Sequence, residues 1–284
     1  MRILLAVVAA WLCACASFST LKTARAIDQG TSQVAVSVGA IGVTLPKDAP
    51  SNGTRKDQVQ VVPQFELSAR YGIADGFDLG VKVWALGGEV NSTISLVRSA
   101  SFDLALAPSV GLIDYSYTDS NNNTTQVVEV FGKLPLLFGL RFGPGNEDEL
   151  VFGPEIIAVA VAAGDDYNNT YSTSGALAGG LIGISFKVNR WLRVMPELTV
   201  LTPISSFPTP SSYSTPGDQV IQHWGDPKSV FYQIALGFAW GDDGFEHPRY
   251  APPPRDYYRP APRYYAPPPN AYPPPPAAPY RGDE

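Results

Sequence analysis

Between Gln58 and Leu86 the chain reads QVQVVPQFELSARYGI, then Ala74-Asp75-Gly76, then FDLGVKVWAL. In the first arm Val59, Val61, Pro63, Phe65, Leu67, Ala69, Tyr71 and Ile73 occupy one set of alternate positions. Gln58, Gln60, Val62, Gln64, Glu66, Ser68, Arg70 and Gly72 occupy the other. A β-strand sends successive side chains to opposite faces, so this arm has an apolar side and a polar side. The second arm sets Phe77, Leu79, Val81 and Val83 against Asp78, Gly80, Lys82 and Trp84. Ala-Asp-Gly joins the arms by a tight turn in which Gly76 is free to take a positive φ. Strands of soluble proteins cluster near about 5–6 residues, whereas this alternation persists for sixteen positions. A tilted strand needs roughly 9–11 residues to cross a bilayer. The length therefore predicts that the apolar side meets lipid.

The same pattern recurs along the chain. Gln33–Leu45 alternates apolar with small or polar residues, and Pro46–Asp57 is a polar loop. Gly87-Gly88-Glu89 reads as a turn into a strand over Val90–Ser99, and Phe102–Tyr117 as one further strand. Asp119–Thr125 is a loop before Gln126–Phe142, and Pro144–Asp148 turns the chain into Glu149–Ala163. Gly164–Ser174 is a second polar loop, and Asn189-Arg190 joins Gly175–Val188 to Trp191–Ile204. Ser205–Pro227 is the longest loop, and Lys228–Gly241 the last strand. About ten strands result. The connections after strands one, five, seven and nine are long, and those after two, four, six and eight are short. Only the short link after strand three breaks the parity. Long loops on one rim and tight turns on the other is the layout of a membrane barrel, with both chain ends on the turn side.

Charge separates this arrangement from a soluble barrel, whose faces are reversed. Glu66, Arg70, Lys82, Glu129, Lys133, Arg141, Glu155, Lys187, Arg193 and Glu197 all fall mid-strand on the polar side. A lipid-facing Arg or Lys at the bilayer midplane costs about 2–4 kcal/mol, so these residues are expected to line a lumen and pair across it. Gly80, Gly111, Gly139, Gly183 and Gly237 share that side and suit a crowded interior. Trp84, Trp191, Trp240, Tyr71 and Tyr117 lie near strand ends, as an interfacial aromatic girdle requires.

On these residues the chain resembles the small outer-membrane β-barrel proteins of Gram-negative bacteria, over roughly residues 33–241. The closing strand FYQIALGFAW resembles the terminal signal read by the barrel-assembly machinery, although about forty residues follow it. The resemblance implies an all-β, antiparallel up-and-down transmembrane barrel. It also implies an outer-membrane location, lipid and lipopolysaccharide as surroundings, and the assembly machinery as a partner. A monomer is expected.

The N-terminus reads as an export leader, with Arg2 before an apolar core over Ile3–Ala16. Ala24-Arg25-Ala26 matches an A-x-A cleavage site, which makes residues 1–26 a signal peptide and Ile27 the mature start. A second processing site competes: Leu12-Cys13-Ala14-Cys15 resembles a bacterial lipoprotein box, which would place a lipid on Cys15. Both cysteines of the chain lie in this segment, so cleavage after Ala26 would leave no thiol or disulfide. The barrel is then assigned to residues 27–244 and a separate tail to 245–284. From Pro248 to Glu284 lie about half of the chain's 27 prolines, with RYAPPPR and RYYAPPPN as loose repeats. Proline fixes φ and lacks the amide donor, so this tail is expected to be disordered or polyproline II. A periplasmic tail of this kind would serve as a tether to an envelope or cell-wall partner.

Composition excludes some functions. A net charge of −6 with 16% charged residues offers no basic face for nucleic acid. No apolar run of eighteen residues follows residue 26, so no spanning helix is expected. There is no Cys/His cluster or phosphate-binding glycine loop, and neither cofactor nor metal is expected. The expected role is structural or surface-interacting, with a narrow polar channel as a variant of it. One alternative is a barrel hydrolase acting at the extracellular rim through His223 with Asp165 or Asp166, since an acid–His set can activate water. The other is a soluble, lipocalin-like periplasmic binder, which needs the two faces exchanged.

Overall fold

The computed structural model describes residues 17–45, 58–118, 124–165, 170–205 and 229–241. These form eleven strand segments: β1 (Ser32–Leu45), β2 (Gln58–Ala74), β3 (Phe77–Trp84), β4 (Gly87–Arg98), β5 (Phe102–Leu106), β6 (Ser109–Thr118), β7 (Thr124–Phe142), β8 (Asp148–Asp165), β9 (Thr170–Asn189), β10 (Leu192–Pro203) and β11 (Val230–Gly241). Neighbours pair antiparallel throughout, and β1 also pairs with β11 from Gln33↔Gly241 to Thr44↔Val230. The sheet is therefore closed, which removes every raw strand edge.

β5 and β6 are two pieces of one stave, since β4 pairs with both and so does β7. The barrel thus has the ten staves expected from the sequence. The expected single strand over Phe102–Tyr117 is interrupted at Ala107-Pro108 because proline has no N–H to give the ladder. Other boundaries differ: Thr124 and Thr125, expected in a loop, open β7 opposite Thr118 and Tyr117. Gly87-Gly88-Glu89 is not a turn: these residues open β4 opposite Lys82, Val83 and Trp84, and Ala85-Leu86 makes the connection. The expected loop over Gly164–Ser174 is shorter, because Ala163 still pairs with Tyr171 and Gly164 with Thr170. Backbone pairing needs no apolar side chain, so a polar segment can extend a hairpin. Gly76 in the Ala-Asp-Gly turn takes φ +81°.

Strand faces are sorted as the alternation requires. Val61, Phe65, Leu67, Tyr71 and Ile73 of β2 are exposed on the outer surface, while Gln64, Glu66 and Arg70 between them are buried inside. β3 repeats this with Leu79, Val81 and Val83 outside and Asp78 and Lys82 inside. Val230, Ile234, Leu236 and Trp240 continue the apolar exterior on β11. An exposed apolar belt of this extent is stable only against acyl chains. A soluble lipocalin-like barrel would carry the opposite arrangement. Trp240 and Tyr71 are exposed on that outer surface, and Trp191 is exposed in the turn before β10. Trp84 is not part of the girdle: it points inward and packs against Phe131, ring centroids 6.1 Å apart. Its parity on β3 is that of Lys82 (the polar side), and parity outweighs the aromatic preference for the interface. The side chain of Tyr117 lies outside the described residues.

Candidate functional site

Among the described residues, buried ionisable side chains are concentrated in the lumen. Glu66, Arg70, Lys82, Glu129 and Lys133 are buried there, as are Glu155, Arg193 and Glu197. Arg141 and Lys187 join them nearer the turn rim, with side chains 7% and 10% exposed.

Most of these groups meet an opposite charge. Lys82 Nζ lies 3.8 Å from Glu66 and 3.4 Å from Glu89, and Lys133 Nζ lies 2.6 Å from the other Glu89 oxygen. One carboxylate thus bridges two ammonium groups across β3, β4 and β7. Nearer the turns, Arg141 meets Asp103 at 2.7 Å and Arg70 meets Asp78 at 3.5 Å. Lys187 reaches Glu147 at 3.1 Å. Glu155 differs: neither of its carboxylate oxygens has a hydrogen-bond partner among the described residues.

Asp78, Glu89, Asp103 and Glu149, absent from the expected lumen set, also belong to this network. Asp78 and Glu149 were open to detection, since they share strand parity with Lys82 and Glu155. Glu89 was hidden by the expected turn.

Toward the long connections the lumen changes character. Ile41, Trp84, Ile113, Phe131, Ile157, Leu177, Leu201 and Phe231 form one buried apolar cluster. They come from eight different strand segments, so the cluster lies across the barrel. Gly111 makes room for it, because a Cβ there would strike the Phe131 ring. Lys82 and Lys133 lie 5.8 Å from the Trp84 and Phe131 ring centroids, which joins the charged layer to the apolar one.

A third component comes from the N-terminal residues. Ser17–Ile27 runs through the lumen, with Phe18 inside the apolar cluster and Ile27 near the turn rim. Lys22 and Arg25 enter the charge network through Asp78 at 3.9 Å and Asp103 at 3.0 Å.

His223 and Asp166 lie outside the described residues. Asp165 closes β8, its backbone opposite Thr125. Among the described residues no group of three His, Cys, Asp or Glu side chains is placed to hold a metal ion.

An apolar exterior around a charged interior defines a membrane-spanning antiparallel β-barrel. No family model matches the chain. No curated protein matches it either. Solved structures do, at the level of the barrel. The outer membrane protease OmpT from Escherichia coli matches with a TM-score of 0.45 at 9% identity, covering 78% of this chain and 100% of the other. The attachment invasion locus protein Ail of Yersinia pestis matches with a TM-score of 0.37 at 9% identity, covering 74% and 98%. The outer membrane protein OprG from Pseudomonas aeruginosa matches with a TM-score of 0.28 at 10% identity, covering 78% and 99%. The resemblance is a generic one to outer-membrane barrels.

Proposed function

We propose that the protein is an outer-membrane anchor of the Gram-negative envelope. Its barrel holds the chain in the bilayer, its long connections present a surface, and its proline-rich tail faces the periplasm. The observation that carries this reading is the filled lumen. An apolar cluster drawn from eight strand segments and a paired charge network occupy the space that a channel would need. Moving an ion through that layer would require breaking buried ion pairs or crossing apolar packing, both costly. Apolar residues face the bilayer, and β11 ends at Gly241 on the turn rim, from which the tail continues.

In this reading lipid and lipopolysaccharide surround the barrel, and the assembly machinery recognises β11. The tail engages an envelope or cell-wall component through tyrosine, arginine and proline. Planar-bilayer recording of the purified full chain tests the role directly. The expected result is no conductance above the bare membrane; steady unit currents would replace the anchor with a channel.

A further inference from the structure

The segment Ser17–Ile27 is held in the lumen too specifically for a passing leader. Its backbone amides have dedicated acceptors on the barrel wall. Gln233 accepts from the amides of Phe18 and Ser19 at 2.6 and 3.0 Å, and Glu197 from Thr20 and Leu21 at 2.7 and 2.8 Å. Glu149 accepts from Ala24, and Asp78 from Ile27, both at 3.1 Å. A segment with no strand partner otherwise leaves buried amides unsatisfied, so this series of acceptors is a fitted site.

Charge and shape agree. Eight buried acids of the wall (Glu66, Asp78, Glu89, Asp103, Glu129, Glu149, Glu155 and Glu197) face Arg70, Lys82, Lys133, Arg193 and Arg141. The segment adds Lys22 and Arg25 to the smaller side. A Cβ on Gly237 would meet Leu21 at 3.1 Å; one on Gly139 would strike the Glu149 carboxylate and then Ala24 at 2.8 Å, and one on Gly72 the Asp28 carbonyl and then that of Ile27 at 2.9 Å. Three wall positions thus lack a side chain where the segment passes.

We propose that Ser17–Ile27 stays in the mature protein as the barrel's own plug, and that the chain is processed upstream of it, at the Leu12–Cys15 box. Cleavage after Ala26 would remove ten of the eleven plug residues and leave Glu197 and Glu149 buried without their donors. The box lies outside the described residues, but it is the other processing site in the sequence. Its chemistry starts at the Cys15 thiol. The sulfur displaces a glycerol phosphate from a phosphatidylglycerol: an Sγ–C bond to the diacylglyceryl group forms, the C–O bond to phosphate breaks, and the thiol proton leaves with the phosphate. Hydrolysis of the Ala14–Cys15 peptide bond then frees the α-amino group of the S-diacylglyceryl Cys15.

This inference adds to the anchor role and is tested separately from it. The full chain is produced in a Gram-negative host, purified from its outer membranes, and analysed by intact mass and N-terminal peptide mapping. The expected species begins at Cys15, carries a lipid increment and contains Ser17–Ile27. The variant Cys15→Ser, which lies outside the packed segment, is expected to accumulate as uncut precursor. A mature chain beginning at Ile27, or a Cys15→Ser variant with the wild-type mature mass, overturns the proposal while leaving the anchor role standing. Conductance from a chain that retains the segment would overturn the anchor role instead.

Discussion

The two faces of β3 are built from the same eight residues and obey different rules. Leu79, Val81 and Val83 point outward at 44–51% exposure, whereas Asp78 and Lys82 point inward at 0% and 3%. The outer residues need only be apolar, because acyl chains are an undiscriminating solvent. Each inner residue needs a particular partner: Lys82 has Glu66, Glu89 and the Ser17 hydroxyl, and Asp78 has Arg70 and Lys22. One face is specified by composition and the other by pairing, so the two should differ sharply in tolerance to substitution.

That contrast can be broken or sharpened by mutation. The largest effect is expected inside. Lys82→Met leaves Glu66 with hydroxyl and amide donors but no ion-pair partner and Glu89 with Lys133 alone, and should cost about 3–5 kcal/mol in denaturant unfolding of the barrel from lipid vesicles. An equal loss from Lys82→Arg would show that charge alone is not what the site requires. Next is the same strand's outer face. Val81→Arg places a cation against lipid and should cost about 2–4 kcal/mol, and the cost should fall as the substitution moves toward either rim. A third variant probes the plug: Gly237→Val drives side-chain atoms into Leu21 and should cost about 1–3 kcal/mol. The loss should shrink in a chain lacking residues 17–26, and a loss of undiminished size there would mean that Leu21 is not the group being struck. The smallest effect is expected from Leu79→Val, an apolar exchange against lipid, within about 0.5 kcal/mol. A larger penalty would mean the outer face is more selective than its solvent.

The barrel itself was legible because lipid on one side and a polar lumen on the other impose a period of two over long strands. The parity of Glu66, Arg70 and Lys82, or of Glu129 and Lys133, follows directly from that. What the alternation hides is anything the barrel holds without making it a strand. SFSTLKTARAI has no two-residue period, and its small and polar residues suit an extended chain bound by side chains as well as a leader. Trp84 was misplaced because its residue type suggested the interface while its position carried the opposite instruction. The break at Ala107-Pro108 was visible as a proline, but only the pairing of β4 and β7 with both pieces shows that the stave continues past it. The rim candidate His223 had composition alone behind it, with no periodic context to place it.

The pairing of β1 with β11 has a further consequence for biogenesis. The cylinder is sealed by joining the first and last strands, so contacts as distant as Gln33 with Gly241 carry the largest loop-closure entropy and are expected to form late. Until then both margins of the curled sheet display unsatisfied amides and carbonyls, each able to recruit a foreign strand. Nascent molecules should therefore depend on a helper that shields those margins, and losing any one hairpin should leave an open, sticky sheet rather than a smaller tube.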